Sequence, residues 1–158
     1  MKKIALMCDS SADITKEEAE KLGIHVLRMP ITINGKEFIE EETISDQDII
    51  EALGQNKSVK TAQPIIGTMT RMWDELLESY DEVFYIPLTK ALSGTCRVAM
   101  GIAEQSPYQN RVFVLNSDFV CYPVVHMLLT ARDMFEKGYT CVQAKEKIEQ
   151  EGELFAIL

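Results

Sequence analysis

Short apolar runs alternate with amphipathic helical patterns along this chain, and that alternation is the strongest constraint on its fold. Residues 3–7, 83–88 and 111–115 have the length and composition of buried strands, and a helical pattern follows each run. Strand, helix and strand in this order predict βαβ units, which place parallel strands in one sheet. We therefore predict an α/β fold, a Rossmann-like three-layer sheet of mainly parallel strands flanked by helices.

One segment departs from this alternation. Residues 25–33 have the pattern of a single strand, and Asn34-Gly35 after them is a hairpin turn signal. Residues 36–39 would form the return arm, and residues 57–64 would be a loop. We therefore predict a β-hairpin excursion from the main sheet.

Six helices are predicted from apolar periodicity and from capping signals. Capping boxes begin at Thr15, Ser45 and Thr140, because each is followed three residues later by Glu18, Asp48 or Gln143. The clearest apolar stripe is Met69, Met72, Trp73, Leu76, Leu77 and Tyr80. Other apolar residues predicted to face inward are Ile49, Ile50, Leu53, Val98, Ile102, Ala103, Cys121, Val124, Val125, Leu128 and Leu129.

Composition excludes several classes of partner. A length of 158 residues predicts about one domain, and a net charge of −9 argues against binding to nucleic acid or to anionic membranes. No apolar stretch approaches the roughly 20 residues of a membrane span, so we expect no membrane insertion. Four widely spaced cysteines without a secretory signal indicate reduced thiols in a cytoplasmic protein.

Polar loops follow three of the predicted strands. They are Asp9-Ser10-Ser11, Ser93-Gly94-Thr95 and Asn116-Ser117-Asp118, and Thr61 precedes the Trp73 helix on the same side. Ligands of open α/β sheets bind outside the carboxyl ends of the strands, where these loops would meet. Hydroxyls beside the first N–H groups of a helix suit a carboxylate or phosphate, although each hydroxyl alone is equally explained as a helix cap.

No catalytic motif accompanies these loops. The sequence has no Gly-x-Gly-x-x-Gly, P-loop or Gly-x-Ser-x-Gly motif, and neither His25 nor His126 has partners at metal-ligand spacing. Asp9 follows a strand as in aspartyl-phosphate enzymes, but an Asx-turn explains it better. These observations favour a binding protein without cofactor or metal over an enzyme. An enzyme acting on a phosphorylated small metabolite and a pure interaction module remain the alternatives.

Four segments in the same order resemble the DegV family of fatty-acid-binding proteins. They are Asp9-Ser10-Ser11-Ala12-Asp13, Leu27-Arg28-Met29-Pro30 with the Asn34-Gly35 turn, Thr61-Ala62-Gln63-Pro64, and Leu92-Ser93-Gly94-Thr95. The family commonly has further hydroxyls where this chain has Ala62 and Ile65, and an Asp-Ser pair where it has Asn116-Ser117. We therefore expect a head-group site less polar than is usual in the family.

The resemblance implies a protein that holds one long-chain fatty acid between two domains. Carried over to this sequence, Thr61, Ser93, Gly94 and Thr95 would bind the carboxylate, with Asp9, Ser10, Ser11 and Ser117 as a supporting polar loop. The bound acyl group would be presented to the ATP-binding subunit of a separate fatty acid kinase, so this chain would not be the enzyme.

Family members are nearly twice as long as this chain. By this resemblance, residues 1–151 are the N-terminal α/β domain and residues 152–158 are the entry strand of a missing second domain. We accordingly expect a truncated chain that binds fatty acid weakly by itself and self-associates through exposed apolar surface.

Overall fold

The computed structural model describes the backbone of residues 1–155 and the side chains of residues 1–152. Within that part of the chain it contains seven strands and six α-helices. The strands are β1 (Ile4–Asp9), β2 (Ile24–Leu27), β3 (Pro30–Ile33), β4 (Lys36–Ile39), β5 (Val59–Thr61), β6 (Glu82–Ile86) and β7 (Val112–Val114). The helices are α1 (Lys16–Leu22), α2 (Asp46–Gly54), α3 (Ile66–Ser79), α4 (Thr95–Ala103), α5 (Tyr122–Glu136) and α6 (Cys141–Phe155).

The main sheet has the strand order β2-β1-β6-β7, and all of its strands are parallel. Side chains alternate across β1, so that Ala5 and Met7 lie on one face while Leu6 and Cys8 lie on the other. Helices α3 and α4 cover the first face, and α1, α5 and α6 cover the second. The predicted three-layer α/β architecture is therefore confirmed.

Helix α3 supplies the largest side chain of the core. Trp73 is fully buried between the sheet and the neighbouring loop, with its ring edge-on to Tyr85 and Tyr108 at centroid distances of 6.3 and 5.1 Å. Met69 and Leu76 are buried on the same side of the helix. The apolar stripe predicted for this helix is thus a core-packing face.

A second, antiparallel sheet has the strand order β4-β3-β5. The hairpin prediction is confirmed, because Asn34 and Gly35 join β3 to β4 with φ angles of 49° and 83°. The prediction of a loop at 57–64 is wrong over residues 59–61, which form β5 on the free edge of β3. The N–H of Asn34 donates to the Ser58 carbonyl at 2.9 Å, which holds the two segments in register.

The prediction of one strand over 25–33 is also wrong. Its two halves, β2 and β3, belong to different sheets. The break falls at Met29, whose N–H donates to Ser10 Oγ at 3.1 Å instead of to a neighbouring strand. Pro30 follows and has no N–H to contribute to a ladder.

Several side chains predicted to face inward are exposed. On α2, Ile50 and Leu53 are 61% and 56% exposed, and Ala52 is the buried residue. On α4, Val98 is 38% exposed, and the small side chains of Ala99 and Ala103 are buried instead. Cys121 is exposed because it lies before the first turn of α5.

Helix α6 begins with the predicted cap, in which the Thr140 hydroxyl accepts from the Gln143 N–H and the Gln143 side chain accepts from the Thr140 N–H. The helix continues through Phe155, so residues 152–155 are helical where an entry strand was expected. Gly152 packs on the Phe119 ring, which a Cβ at this position would approach to 3.2 Å. The rest of the expected strand, 156–158, lies outside the described residues.

Candidate functional site

The loops that follow β1, β6 and β7 are tied to one another at the carboxyl edge of the main sheet. Each loop is joined to both of the others by a hydrogen bond from a backbone N–H, so the three form a closed ring. The bonds are Leu88 N–H to Asp9 Oδ2 (2.7 Å), Thr89 N–H to the Phe119 carbonyl (3.0 Å) and Cys121 N–H to the Ser11 carbonyl (3.1 Å). The loops that were predicted to converge are therefore joined to one another.

Asp9 is the buried acid of this ring. It is 1% exposed, and its carboxylate accepts hydrogen bonds from the N–H of Leu88 and from both the N–H and the hydroxyl of Ser11. Burial raises the pKa of the Asp9 carboxyl, although these hydrogen bonds oppose the shift. The Ser11 N–H contact at 3.1 Å is the expected Asx-turn, so Asp9 organises the loops.

Two other residues of the predicted supporting loop also have structural partners. Ser10 Oγ accepts from the Met29 N–H, which anchors the start of β3. Ser117 is 1% exposed, and its Oγ accepts from the Phe119 N–H at 3.1 Å. These hydroxyls hold the backbone of the site.

The Ser93-Gly94-Thr95 loop forms the start of α4. Ser93 Oγ accepts from the Thr95 N–H at 3.1 Å and lies 2.8 Å from Thr95 Oγ1. Thr95 is buried, whereas Gly94 is exposed at the N-cap and no side chain caps the helix there. The start of α4 is therefore exposed at Gly94, and the helix-start N–H groups that Ser93 does not pair, together with the positive dipole end, favour an anion.

A second loop lies directly on this helix start. A Cβ placed on Gly94 would come within 2.8 Å of Gln63 Nε2, so the Gln63 carboxamide packs against the glycine. Gln63 was not among the predicted site residues, although a glycine in the Ser93-Gly94-Thr95 loop was a sign that another group comes close. The 61–64 segment and the start of α4 thus meet, as the prediction required.

Thr61 lies at the end of strand β5, whereas the sequence predicted a loop there. Its backbone pairs with Ile31 in the small sheet, and its exposed side chain lines a cavity of about 420 Å³ together with Ser10, Arg28 and Ile49. No hydrogen bond among the described residues joins Thr61 to Ser93. The structure brings Thr61 together with Ser10, and it brings Gln63 together with Gly94.

Arg28 is the basic residue of that cavity, whose lining also includes the acidic residues Asp13, Glu40, Glu41 and Asp46. It forms a largely buried ion pair with Glu41 at 2.6 Å. The carboxyl of neighbouring Glu40 is half-buried, and burial raises its pKa. Arg28 was not predicted as a site residue, because the sequence placed it inside a single strand over 25–33, whereas the structure ends β2 at Leu27.

Apolar side chains border the polar loops. Leu92 is 70% exposed immediately before Ser93, and Ile65 and Ile66 are 60% and 52% exposed after Pro64. A cavity of about 430 Å³ opens beyond the β7 loop, lined by Phe119, Val120, Tyr122, Pro123, His126 and Met127. A polar, anion-type site with an apolar margin suits an amphipathic ligand.

The two histidines lie apart from the helix-start loops. His25 Nε2 is 3.2 Å from the Tyr80 hydroxyl, and His126 lines the second cavity. Within residues 1–152, no group of three or more His, Cys, Asp or Glu side chains is arranged to hold a metal ion. Among the described helices, none has the length and apolarity needed to cross a membrane.

The parallel sheet and its flanking helices define an α/β protein, and the loops at the carboxyl edge of the sheet are its candidate small-molecule site. The chain belongs to the DegV family, because the model of that family of uncharacterised proteins matches residues 3–153. A DegV domain-containing protein of Staphylococcus aureus is 26% identical, with 94% of this chain and 52% of the relative covered. One from Listeria monocytogenes is 29% identical, with 94% and 53% covered.

Solved structures show the same fold. A fatty-acid-binding DegV protein of Bacillus subtilis superposes with a TM-score of 0.78 at 29% identity, covering 97% of this chain and 53% of that one. A DegV family protein of Thermus thermophilus, described by its fatty acid binding, gives a TM-score of 0.81 at 25% identity, covering 96% and 54%. The chain thus spans about half the length of these relatives.

Proposed function

We propose that this chain binds the carboxylate of a long-chain fatty acid at the start of α4, through Ser93, Gly94 and Thr95 with Thr61 nearby. The observation that carries this proposal is the contact between Gln63 and Gly94, which brings the two predicted head-group loops together. An exposed apolar margin beside them, at Leu92 and Ile65, suits an acyl chain.

An ionised carboxylate fits the charge and shape of this position. The start of α4, exposed at Gly94, supplies N–H groups and a partial positive charge, and the Ser93 and Thr95 hydroxyls lie beside it. Relatives described as fatty-acid-binding support the same ligand for the family fold. A phosphorylated metabolite would match the helix start equally well, but it would not use the apolar margin.

Burial of the acyl tail supplies most of the binding free energy. A tail of about 15 methylenes gains at most about 12 kcal/mol when fully buried, at about 0.8 kcal/mol for each methylene, before the costs of ordering. The exposed side chains of Leu92, Ile65, Ile66, Val120 and Tyr122 shelter only one side of such a tail. We therefore expect weak binding by residues 1–158 alone and tighter binding when a second domain closes over the site.

We further propose that the bound acyl group is presented to a separate ATP-dependent fatty acid kinase in the cytoplasm. Gly94 is exposed, so a carboxylate bound there remains accessible to a partner protein. In this proposal the kinase performs the phosphoryl transfer and the present chain is its substrate carrier.

The head-group assignment can be tested by NMR titration of the ¹⁵N-labelled chain with decanoate and, separately, with decanol. We expect decanoate to shift the backbone amides of residues 94–98, and decanol, which lacks the charge, to leave them in place. The double variant Thr61→Ala/Ser93→Ala should lose this response. Ser79→Ala/Thr130→Ala, which removes two hydroxyls far from the site, should retain it.

Three results would contradict the proposal. An unchanged decanoate response in Thr61→Ala/Ser93→Ala would refute the assigned residues. A response to inorganic phosphate but not to decanoate would favour the metabolite alternative. No response to either anion would favour an interaction module.

A further inference from the structure

The backbone conformation at residue 94 does not require glycine. Its φ and ψ angles are −72° and −11°, which any residue adopts without strain. What a larger residue would meet is Gln63, whose Nε2 and Oε1 atoms would lie 2.8 and 3.5 Å from the added Cβ. The glycine is therefore needed for the close approach of a side chain from another loop.

The backbone is anchored on both sides of Gln63, whose side chain is exposed. Pro64, the next residue, is buried, and the Ala62 N–H donates to the Pro30 carbonyl at 3.0 Å. The carboxamide itself makes no hydrogen bond with any of the described residues, so its N–H donors are available for a ligand. It lies at the start of α4, where the helix favours an anion.

We infer that Gln63 is a further head-group residue, which donates a hydrogen bond from Nε2 to the bound carboxylate, and that Gly94 is small so that Gln63 can reach it. This inference rests on the proposed fatty acid function and deepens it. Gln63 selects the ionised acid over an alcohol of equal length, because hydrogen bonds to charged acceptors are about twice as strong as neutral ones.

A double-mutant cycle in the complete chain tests this role. Gln63→Ala should weaken decanoate binding about tenfold while leaving decanol binding unchanged, because one hydrogen bond to a charged group is lost. Gly94→Ala should have a similar effect, since the new methyl displaces the end of a flexible side chain. In the Gln63→Ala background, Gly94→Ala should change affinity little further. Gln55→Ala, which removes an exposed glutamine on α2, is the matched control.

The side-chain NH₂ resonances of Gln63 give an independent readout, assigned by their loss in Gln63→Ala. They should shift with decanoate and stay in place with decanol. This inference is overturned, and the proposed function stands, if the backbone amides of residues 94–98 respond but the Gln63 resonances do not. The same holds if the effects of Gln63→Ala and Gly94→Ala on the binding free energy of decanoate are fully additive. If neither set of resonances responds, both are overturned.

Discussion

The backbone N–H of Leu88 donates a 2.7 Å hydrogen bond to the Asp9 carboxylate, and this bond joins the ends of the two central strands of the main sheet. The same carboxylate holds the Ser11 turn. The loop that carries Ser93 therefore begins from a point fixed by the loop after β1.

Asp9 should make a contribution to the free energy of unfolding that decreases as pH rises. Because burial raises its pKa above the ordinary 3.8, the folded state binds the proton more tightly than the unfolded state. This contribution is fully present below pH 3.8 and is lost as pH rises through the elevated folded pKa. The difference in free energy of unfolding between the unmodified chain and Asp9→Asn should fall over that range in urea titrations. Asp133→Asn, at an exposed position, controls for loss of charge, and a difference that grows with pH would contradict the prediction.

Tyr85→Phe should leave the fold equally stable or stabilise it by about 1 kcal/mol. The Tyr85 hydroxyl is fully buried and has no hydrogen-bond partner among the described residues. Folding therefore removes it from water without a compensating hydrogen bond, and Tyr85→Phe eliminates that free-energy cost. Tyr108→Phe is the contrast, because the Tyr108 hydroxyl donates to Asp74 at 2.9 Å and its loss should cost about 1 kcal/mol. Urea unfolding followed by the fluorescence of Trp73 measures both, and a destabilised Tyr85→Phe would show that the hydroxyl has a partner.

The alanine variants of Ser93 and Thr61 should differ in their free energy of unfolding. Ser93→Ala removes the acceptor of the Thr95 N–H and should lower the free energy of unfolding by about 1 kcal/mol. Thr61→Ala should change it by less than about 0.5 kcal/mol, because the Thr61 side chain is exposed and hydrogen-bonds to none of the described residues. Thermal and urea unfolding of both variants give the comparison, and equal losses would disprove it.

His25 should make the fold less stable in mild acid. Burial lowers its pKa from 6.5, so the unfolded state binds the proton more tightly. The contribution of His25 to the free energy of unfolding is fully present above pH 6.5 and is lost as pH falls through the pKa of the folded state. His25→Phe keeps a ring beside Tyr80 and should flatten this part of the pH profile, whereas His126→Gln on exposed α5 surface should leave it unchanged. A profile that His25→Phe does not alter would refute the assignment.

The chain should self-associate through the apolar margin of the site. Leu92, Ile65 and Tyr122 are exposed by 70%, 60% and 53%, and exposed apolar patches favour association. Sedimentation velocity at increasing concentration should show oligomers, and Leu92→Ser should shift the distribution toward monomer. A matched change at exposed Val142 on α6 should have no effect, and a purely monomeric parent chain would contradict the prediction.

The features predicted correctly from the sequence are those set by residues close together in the chain. The three capping boxes form as expected, because partners three residues apart meet whenever the helix begins. Asn34-Gly35 forms its hairpin for the same reason. Strands β1, β6 and β7 were recognisable because parallel strands covered on both faces are almost continuously apolar.

The features that were missed depend on which segments meet in space. The division of residues 25–33 between two sheets follows from the bond between Met29 and Ser10, and β5 exists because β3 leaves an edge open. Similarly, the exposure of Val98 depends on how closely α4 approaches the sheet. Local periodicity carries no information about such distances.

The candidate site divides in the same way. The sequence by itself determined the chemical character of the loops, with hydroxyls and a glycine at the start of α4, and the family resemblance indicated the anion. Only the tertiary structure decided how these groups are used, because Asp9 and Ser10 accept hydrogen bonds from Leu88 and Met29 in other segments, and Ser117 accepts one from Phe119 in its own loop. It also placed Gln63 on Gly94, a contact between residues 31 positions apart that depends on the small sheet folding back to the helix start.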